Sequence, residues 1–145
     1  MDGVHEDPID GLALLRSVAD DGCGAEVLFL GTVRRSNEDG PVVAIDYKAY
    51  AEMAGEEFDR IVGEARTRWS GAHFAVRHRL GEIPVGEASI GVAVAAPHRA
   101  EAYAASRFIV DEAKRRLPVW KKEQFEDGSA KWRENAGGPS GTPGE

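Results

Sequence analysis

The chain has 145 residues, of which 42% are hydrophobic and 30% charged, proportions typical of a folded domain rather than of a disordered chain. The formal net charge of −7 argues against general nucleic-acid binding, and no apolar run is long enough to cross a membrane. A single cysteine excludes an internal disulfide and a multi-thiolate metal site. The first residues are acidic and do not resemble a secretory leader, so the sequence predicts a cytoplasmic protein.

The first half of the chain is predicted to form several strands and one long helix. A short apolar patch within the first 24 residues is enough for one or two helical turns. Apolar runs, period-two alternation and helical spacing then predict the following elements. They are a buried strand over 25–33, a flexible loop over 34–41, a strand over 43–49, a helix over 54–69, a strand over 74–80 and a turn containing Pro84 and Gly86.

The second half predicts a strand, a helix and a hairpin. A strand over 90–94 carries small residues on its second face, which allow close packing. A second helix opens at Pro97, where a missing N–H costs least, and Pro118 stops it. A short hairpin follows over 120–132. The last ten residues, 136–145, hold four glycines and two prolines and predict a disordered tail.

This order of elements predicts one α+β domain over 1–135, with helices packed on a mostly antiparallel sheet and a small extra β piece. A doubly wound dinucleotide fold is excluded, because no glycine-rich fingerprint with the required spacing is present.

Basic residues concentrate where anions bind. Five of the nine residues from Lys114 to Lys122 are basic, which indicates a local anion site or, alternatively, only a solvated helix end. His98 and Arg99 stand at a helix start, a favourable place for phosphate or carboxylate; the alternative is a simple capping role. Arg34 follows a strand end and begins a loop, where arginines are commonly just solvated.

Lys114 and Lys121 flank Pro118, so the helix end and the following strand can bring both amines to one cleft. Crowded cations lower a lysine pKa and supply free amine for nucleophilic or general-base work. Glu123 would point to the same side of an extended strand as Lys121. Plain solubility is the alternative for all three. The histidines show no metal-like spacing, and Cys23 reads as a loop thiol without an activating neighbour.

Three segments together carry a family resemblance. Residues 29–34 (FLGTVR), 96–99 (APHR) and 114–123 (KRRLPVWKKE) resemble the large, catalytic subunit of molybdopterin synthase in order and spacing. The likeness runs from about Ala25 to Trp132.

The resemblance implies a sulfurtransferase of molybdenum cofactor biosynthesis with an α/β-hammerhead fold and no resident cofactor. Members convert cyclic pyranopterin monophosphate to molybdopterin by inserting two sulfurs. The donor is a thiocarboxylate on the C-terminal glycine of a small ubiquitin-like subunit, and two large subunits form a homodimer at the centre of a heterotetramer.

Carried over residue by residue, the resemblance makes Lys114 the essential lysine and Lys121 the second important one. It implies a substrate-binding role for a further set: Thr32, Val33, Arg34, His98, Arg99, Lys122 and Glu123. Where the family carries an Asn-His-Asn-like run, this chain has residues 35–37, Arg-Ser-Asn.

Two rival functions stay open at this point. A noncatalytic module would bind a partner's tail at a sheet edge and use the basic cluster for docking; it should tolerate arginine at Lys114 and Lys121, whereas a catalytic amine should not. An unrelated phosphotransfer or hydrolytic enzyme lacks a metal-ligand cluster or phosphate-cradling loop in this sequence.

Overall fold

The computed structural model describes residues 3–37 and 40–134. The helices within these ranges are α1 (Gly11–Val18), α2 (Ala51–Arg68) and α3 (Arg99–Arg116). The strands are β1 (Val4–His5), β2 (Ala25–Thr32), β3 (Ser36–Asn37), β4 (Gly40–Ala49), β5 (His73–Arg79), β6 (Gly81–Pro84), β7 (Ala88–Ala96), β8 (Val119–Phe125) and β9 (Ala130–Glu134). The predicted α+β class is confirmed.

The first sheet has the strand order β1-β5-β7-β2, with β1 parallel to β5 and the other pairs antiparallel. Its central strand β7 is buried on both faces. Val92 and Val94 face α2 and α3 in the main core, whereas Ala93 and Ala95 face α1. Small residues on that second face let α1 lie close to the strand, as the sequence predicted.

Helices α2 and α3 cover one face of this sheet because each carries an apolar stripe at helical spacing. Phe58 and Ile61 of α2 and Ile109 of α3 are fully buried. They form the main core with the inward-facing residues of β5 and β7.

The second sheet has the order β3-β4-β8-β9, with β6 paired to β4. The hairpin predicted over 120–132 is confirmed as β8 and β9. A smaller core fills this part of the molecule, with five buried members: Val33, Val42, Ile45, Ile83 and Phe125.

Predictions of the burial of one strand, the start of one helix and two irregular segments were wrong. The strand β2 is half-buried rather than buried, because it lies at the edge of its sheet and, among the strands that the structure describes, pairs with β7 alone. Helix α3 begins at Arg99 and not at Pro97, since His98 is still extended (φ −133°, ψ 156°) and forms the N-cap. Strands β3 and β6 replace parts of the predicted loop and turn. The predicted tail, 136–145, lies outside the described residues.

Among residues 3–37 and 40–134, no helix combines the length and apolar character needed to span a membrane.

Candidate active site

A pocket of about 280 Å³ lies where the end of β2, the end of α3 and the second sheet meet. Its lining is mostly polar and includes three of the predicted cationic residues. The lining residues are Gly31, Thr32, Arg34, Val42, Ile45, Tyr47, Ser89, Lys114, Lys121 and Glu123.

The end of β2 reaches this pocket through a break in its pairing with β7. Gly31 pairs with Ile90 and Thr32 with Ala88, so Ser89 is the extra residue of a bulge. The Ser89 hydroxyl donates a hydrogen bond of 3.3 Å to the Gly31 carbonyl. A Cβ on Gly31 would lie 2.6 Å from Cγ2 of Ile90, so this close approach requires glycine. Bulges redirect side chains, and here Thr32 and Arg34 line the pocket.

Lys114 and Lys121 arrive from opposite sides of a helix–strand junction. Lys114 is in the last turn of α3. Pro118 cannot continue the helix, and the chain turns at once into β8, which carries Lys121. The structure therefore brings both lysines to one pocket, as their positions around Pro118 predicted.

The surroundings of Lys121 lower the pKa of its amine. Burial lowers the pKa of Lys121 below its usual value, and the positive charges of Lys114, Arg133 and Arg34 lower it further, while Glu123 opposes them. An amine of this kind can accept or transfer a proton nearer to neutral pH than an exposed lysine can.

Glu123 is buried and accepts a charge-assisted hydrogen bond from Nε of Arg133 on the neighbouring strand. Lys121, Glu123 and Arg133 share one face of the second sheet, because alternate residues of a strand point the same way. The predicted common side of Lys121 and Glu123 is thus confirmed.

Tyr47 and Ser89 also line the pocket, although no pattern in the sequence pointed to either residue. Burial raises the pKa of Tyr47, a hydrogen bond with Ser89 lowers it and the charge of Glu123 raises it. The phenol is therefore a neutral hydrogen-bond partner at physiological pH. Tyr47 lies opposite Lys121 in the β4–β8 register, and only that register reveals its place.

His78 lies behind the pocket, edge-on to the Tyr47 ring with 5.0 Å between ring centroids. Its Nδ1 is 2.9 Å from the Arg79 carbonyl, to which a protonated Nδ1 donates. Burial lowers the pKa of His78 to about 4, and the charge of Lys114 contributes. A neutral imidazole therefore supports the wall beneath the cationic groups.

Four residues that the resemblance assigned to substrate binding do not line this pocket. Val33 is buried in the smaller core. Lys122 lies on the opposite face of β8, with its Nζ 5.6 Å from the centre of the Trp132 ring. His98 and Arg99 are exposed at the start of α3, about 22 Å along the helix from its last turn.

The geometry suits an anionic ligand. Three cationic side chains, Arg34, Lys114 and Lys121, surround a small polar cavity. Such groups can hold a phosphate or carboxylate through charge-assisted hydrogen bonds. They can also stabilise negative charge that develops on oxygen when an acyl group is attacked.

Residues 4–116 match the model of a protein family described as "MoaE protein". The chain is 45% identical over 121 residues to molybdopterin synthase catalytic subunit 1 of Aedes aegypti, covering 81% of this chain and 78% of that protein. It is 40% identical over 131 residues to the molybdopterin synthase catalytic subunit of Drosophila melanogaster, covering 89% of this chain but only 36% of that protein. The chain thus spans about a third of the length of the Drosophila relatives that it matches.

A crystal structure of molybdopterin synthase from Staphylococcus aureus has the same fold. Its TM-score is 0.86 at 30% sequence identity, over 90% of this chain and 95% of that one.

Proposed function

Since the chain belongs to the MoaE protein family, we propose that it is the catalytic subunit of a molybdopterin synthase. The reaction places two sulfurs on cyclic pyranopterin monophosphate to give molybdopterin. One observation carries the proposal: Arg34, Lys114 and Lys121 meet in a single pocket, at the positions where the family resemblance expects its functional cations.

The sulfur donor we propose is the thiocarboxylate at the C-terminus of a small ubiquitin-like subunit. A terminal thiocarboxylate and a substrate phosphate are both anions, and the pocket presents cations to each. Each transfer replaces a carbon–oxygen bond of the pterin side chain with a carbon–sulfur bond, and the displaced oxygen leaves on phosphate or as water. Hydrolysis then breaks the acyl–sulfur bond, so that the sulfur stays on the pterin and the partner's glycine leaves as a carboxylate.

Lys114 acts at the acyl–sulfur centre, as nucleophile or proton carrier. Lys121 polarises the thiocarboxylate or the tetrahedral species formed when it is cleaved. The lowered pKa of Lys121 also lets this amine exchange a proton during turnover. The carboxylate of Glu123, held by Arg133, places a negative charge near Lys121 that partly offsets the surrounding positive charges.

Arg34 and Thr32 bind the substrate from the end of β2. His98 and Arg99 serve a pocket only from a second copy of the chain, because the length of α3 separates them from Lys114 of their own copy. We therefore propose a homodimer within a heterotetramer. A cytoplasmic location fits this function and the single cysteine of the chain.

Replacing Lys114 with Ala tests the catalytic assignment. The side chain is exposed, so the fold should be preserved, while molybdopterin formation should fall at least about 100-fold. Binding of the small subunit, measured by calorimetry, should survive. Lys48→Ala is the matched control, since Lys48 is exposed on β4 and does not line the pocket. Product formation by Lys114→Ala at the rate of this control would overturn the assignment.

A further inference from the structure

Three metal-ligating side chains meet at an end of the first sheet, outside the pocket described above. Asp20 and Cys23 lie in the loop between α1 and β2, and His73 is the first residue of β5. One ligand atom from each, a carboxylate oxygen, the thiol sulfur and an imidazole nitrogen, lies within 4.8 Å of the others. The sequence spacing predicted no metal site, because fifty residues separate Cys23 from His73 and only the fold brings them together.

The loop holds Asp20 and Cys23 in place through its own hydrogen bonds. The Gly22 amide donates to Oδ2 of Asp20 at 2.9 Å, and the Cys23 amide donates to the Asp20 carbonyl at 3.0 Å. The Gly24 amide donates to the Pro97 carbonyl at 3.2 Å, which ties the loop to the segment before α3. Two of the three donors therefore have a fixed backbone.

The local charge favours a cation. The carboxylates of Asp20, Glu101 and Glu26 place negative charge around Cys23. Nε2 of His73 is 3.9 Å from Oδ2 of Asp20, and the two side chains are about half exposed. A metal ion can therefore reach both side chains from solvent.

We propose that Asp20, Cys23 and His73 bind one Zn²⁺ ion. Sulfur, imidazole nitrogen and carboxylate oxygen are the ligands that zinc takes in proteins, in tetrahedral geometry with water at an open fourth position. Binding releases the thiol proton of Cys23 to solvent, so thiolate and carboxylate together neutralise the charge of the ion. Donor atoms on a tetrahedral zinc lie about 3.5 Å apart, and rotation of the exposed His73 side chain can shorten its distances to the other two donors.

Zinc bound there would join the α1–β2 loop to β5. The site is independent of the sulfur-transfer proposal, since none of its three residues lines that pocket.

Metal titration of the full chain, with any affinity tag removed and the protein stripped of metal by a chelator, tests this inference. Zn²⁺ is titrated in competition with a chromophoric chelator. Co²⁺ is used separately, because thiolate ligation gives cobalt a charge-transfer absorption. We expect one Zn²⁺ per chain, a cobalt–thiolate band, and a thermal unfolding midpoint that rises with zinc.

Cys23→Ser and His73→Asn should each weaken zinc binding at least tenfold, and Cys23→Ser should abolish the cobalt–thiolate band. Asp21→Asn and His5→Asn are the matched controls, because these residues lie outside the cluster; both should bind zinc as the unaltered chain does. Absence of zinc binding, or binding of equal strength in Cys23→Ser and the unaltered chain, would overturn the proposal.

Discussion

The buried imidazole of His78 should make the stability of this protein depend on pH. His78 is neutral in the folded protein because burial lowers its pKa from 6.5 to about 4. In the unfolded chain the same group takes up a proton as the pH falls below about 6.5. Between these two values the unfolded state binds more protons, so stability is fully present above about pH 6.5 and falls as the pH drops toward 4.

The size of the effect follows from the two pKa values. Their difference corresponds to about 3 kcal/mol once the pH is below both, and about 2 kcal/mol of this is lost between about pH 7.5 and pH 5. Urea unfolding at these two pH values measures the loss. The carboxylates of Glu64 and Glu112, whose pKa values are lowered mainly by hydrogen bonds to arginine, stay ionised in the folded protein over this range.

His78→Asn isolates the contribution, because an asparagine amide can still donate to the Arg79 carbonyl. The variant should be less stable overall, yet it should lose about 2 kcal/mol less than the unaltered chain over the same pH interval. With zinc removed by a chelator, the exposed-site variant His73→Asn should lose as much stability over this interval as the unaltered chain. If both histidine variants and the unaltered chain lose equal stability, the reasoning is refuted. An NMR titration in which the His78 imidazole protonates near pH 6.5 would refute it directly.

Three further predictions concern the site and its supports. Lys121→Arg keeps the charge but raises the pKa far above that of lysine. Molybdopterin formation should fall at least about tenfold while the small subunit still binds, whereas a docking module would bind the small subunit and form no product with either residue. Arg116→Met breaks ion pairs with three glutamates of α2 and α3 and should lower the free energy of unfolding by about 1–3 kcal/mol. Its control is Arg107→Met, which removes an exposed ion pair and should change the free energy of unfolding by less than about 1 kcal/mol. A mixture of the inactive variants Lys114→Ala and His98→Ala, unfolded and refolded together, should recover about a quarter of the activity if two copies share each site; no recovery would contradict that sharing.

Features that depend on the residue pattern of one helix or strand, and turns caused by proline, could be predicted from the sequence. Alternation placed Lys121 and Glu123 on the same side of a strand, and Pro118 indicated that Lys114 and Lys121 meet across a turn. The small residues of β7 correctly indicated a closely packed second face. Each of these inferences depends only on local geometry.

Contacts between segments distant in sequence could not be predicted, and these contacts place the remaining residues of the site. Tyr47 joins the pocket through the register of β4 against β8, and Ser89 joins it through a bulge. No pattern in one strand specifies its register against another. The position of β2 at a sheet edge, and the meeting of Cys23 with His73, depend on the complete topology in the same way.

Reconstitution of the reaction is the decisive experiment for the proposed sulfur transfer. The chain is combined with cyclic pyranopterin monophosphate and a ubiquitin-like subunit that ends in a thiocarboxylate, and molybdopterin is assayed. The account predicts product with the thiocarboxylate subunit and none with the same subunit ending in an ordinary carboxylate. Tight binding of the thiocarboxylate subunit without product would contradict the account and leave a docking module in its place.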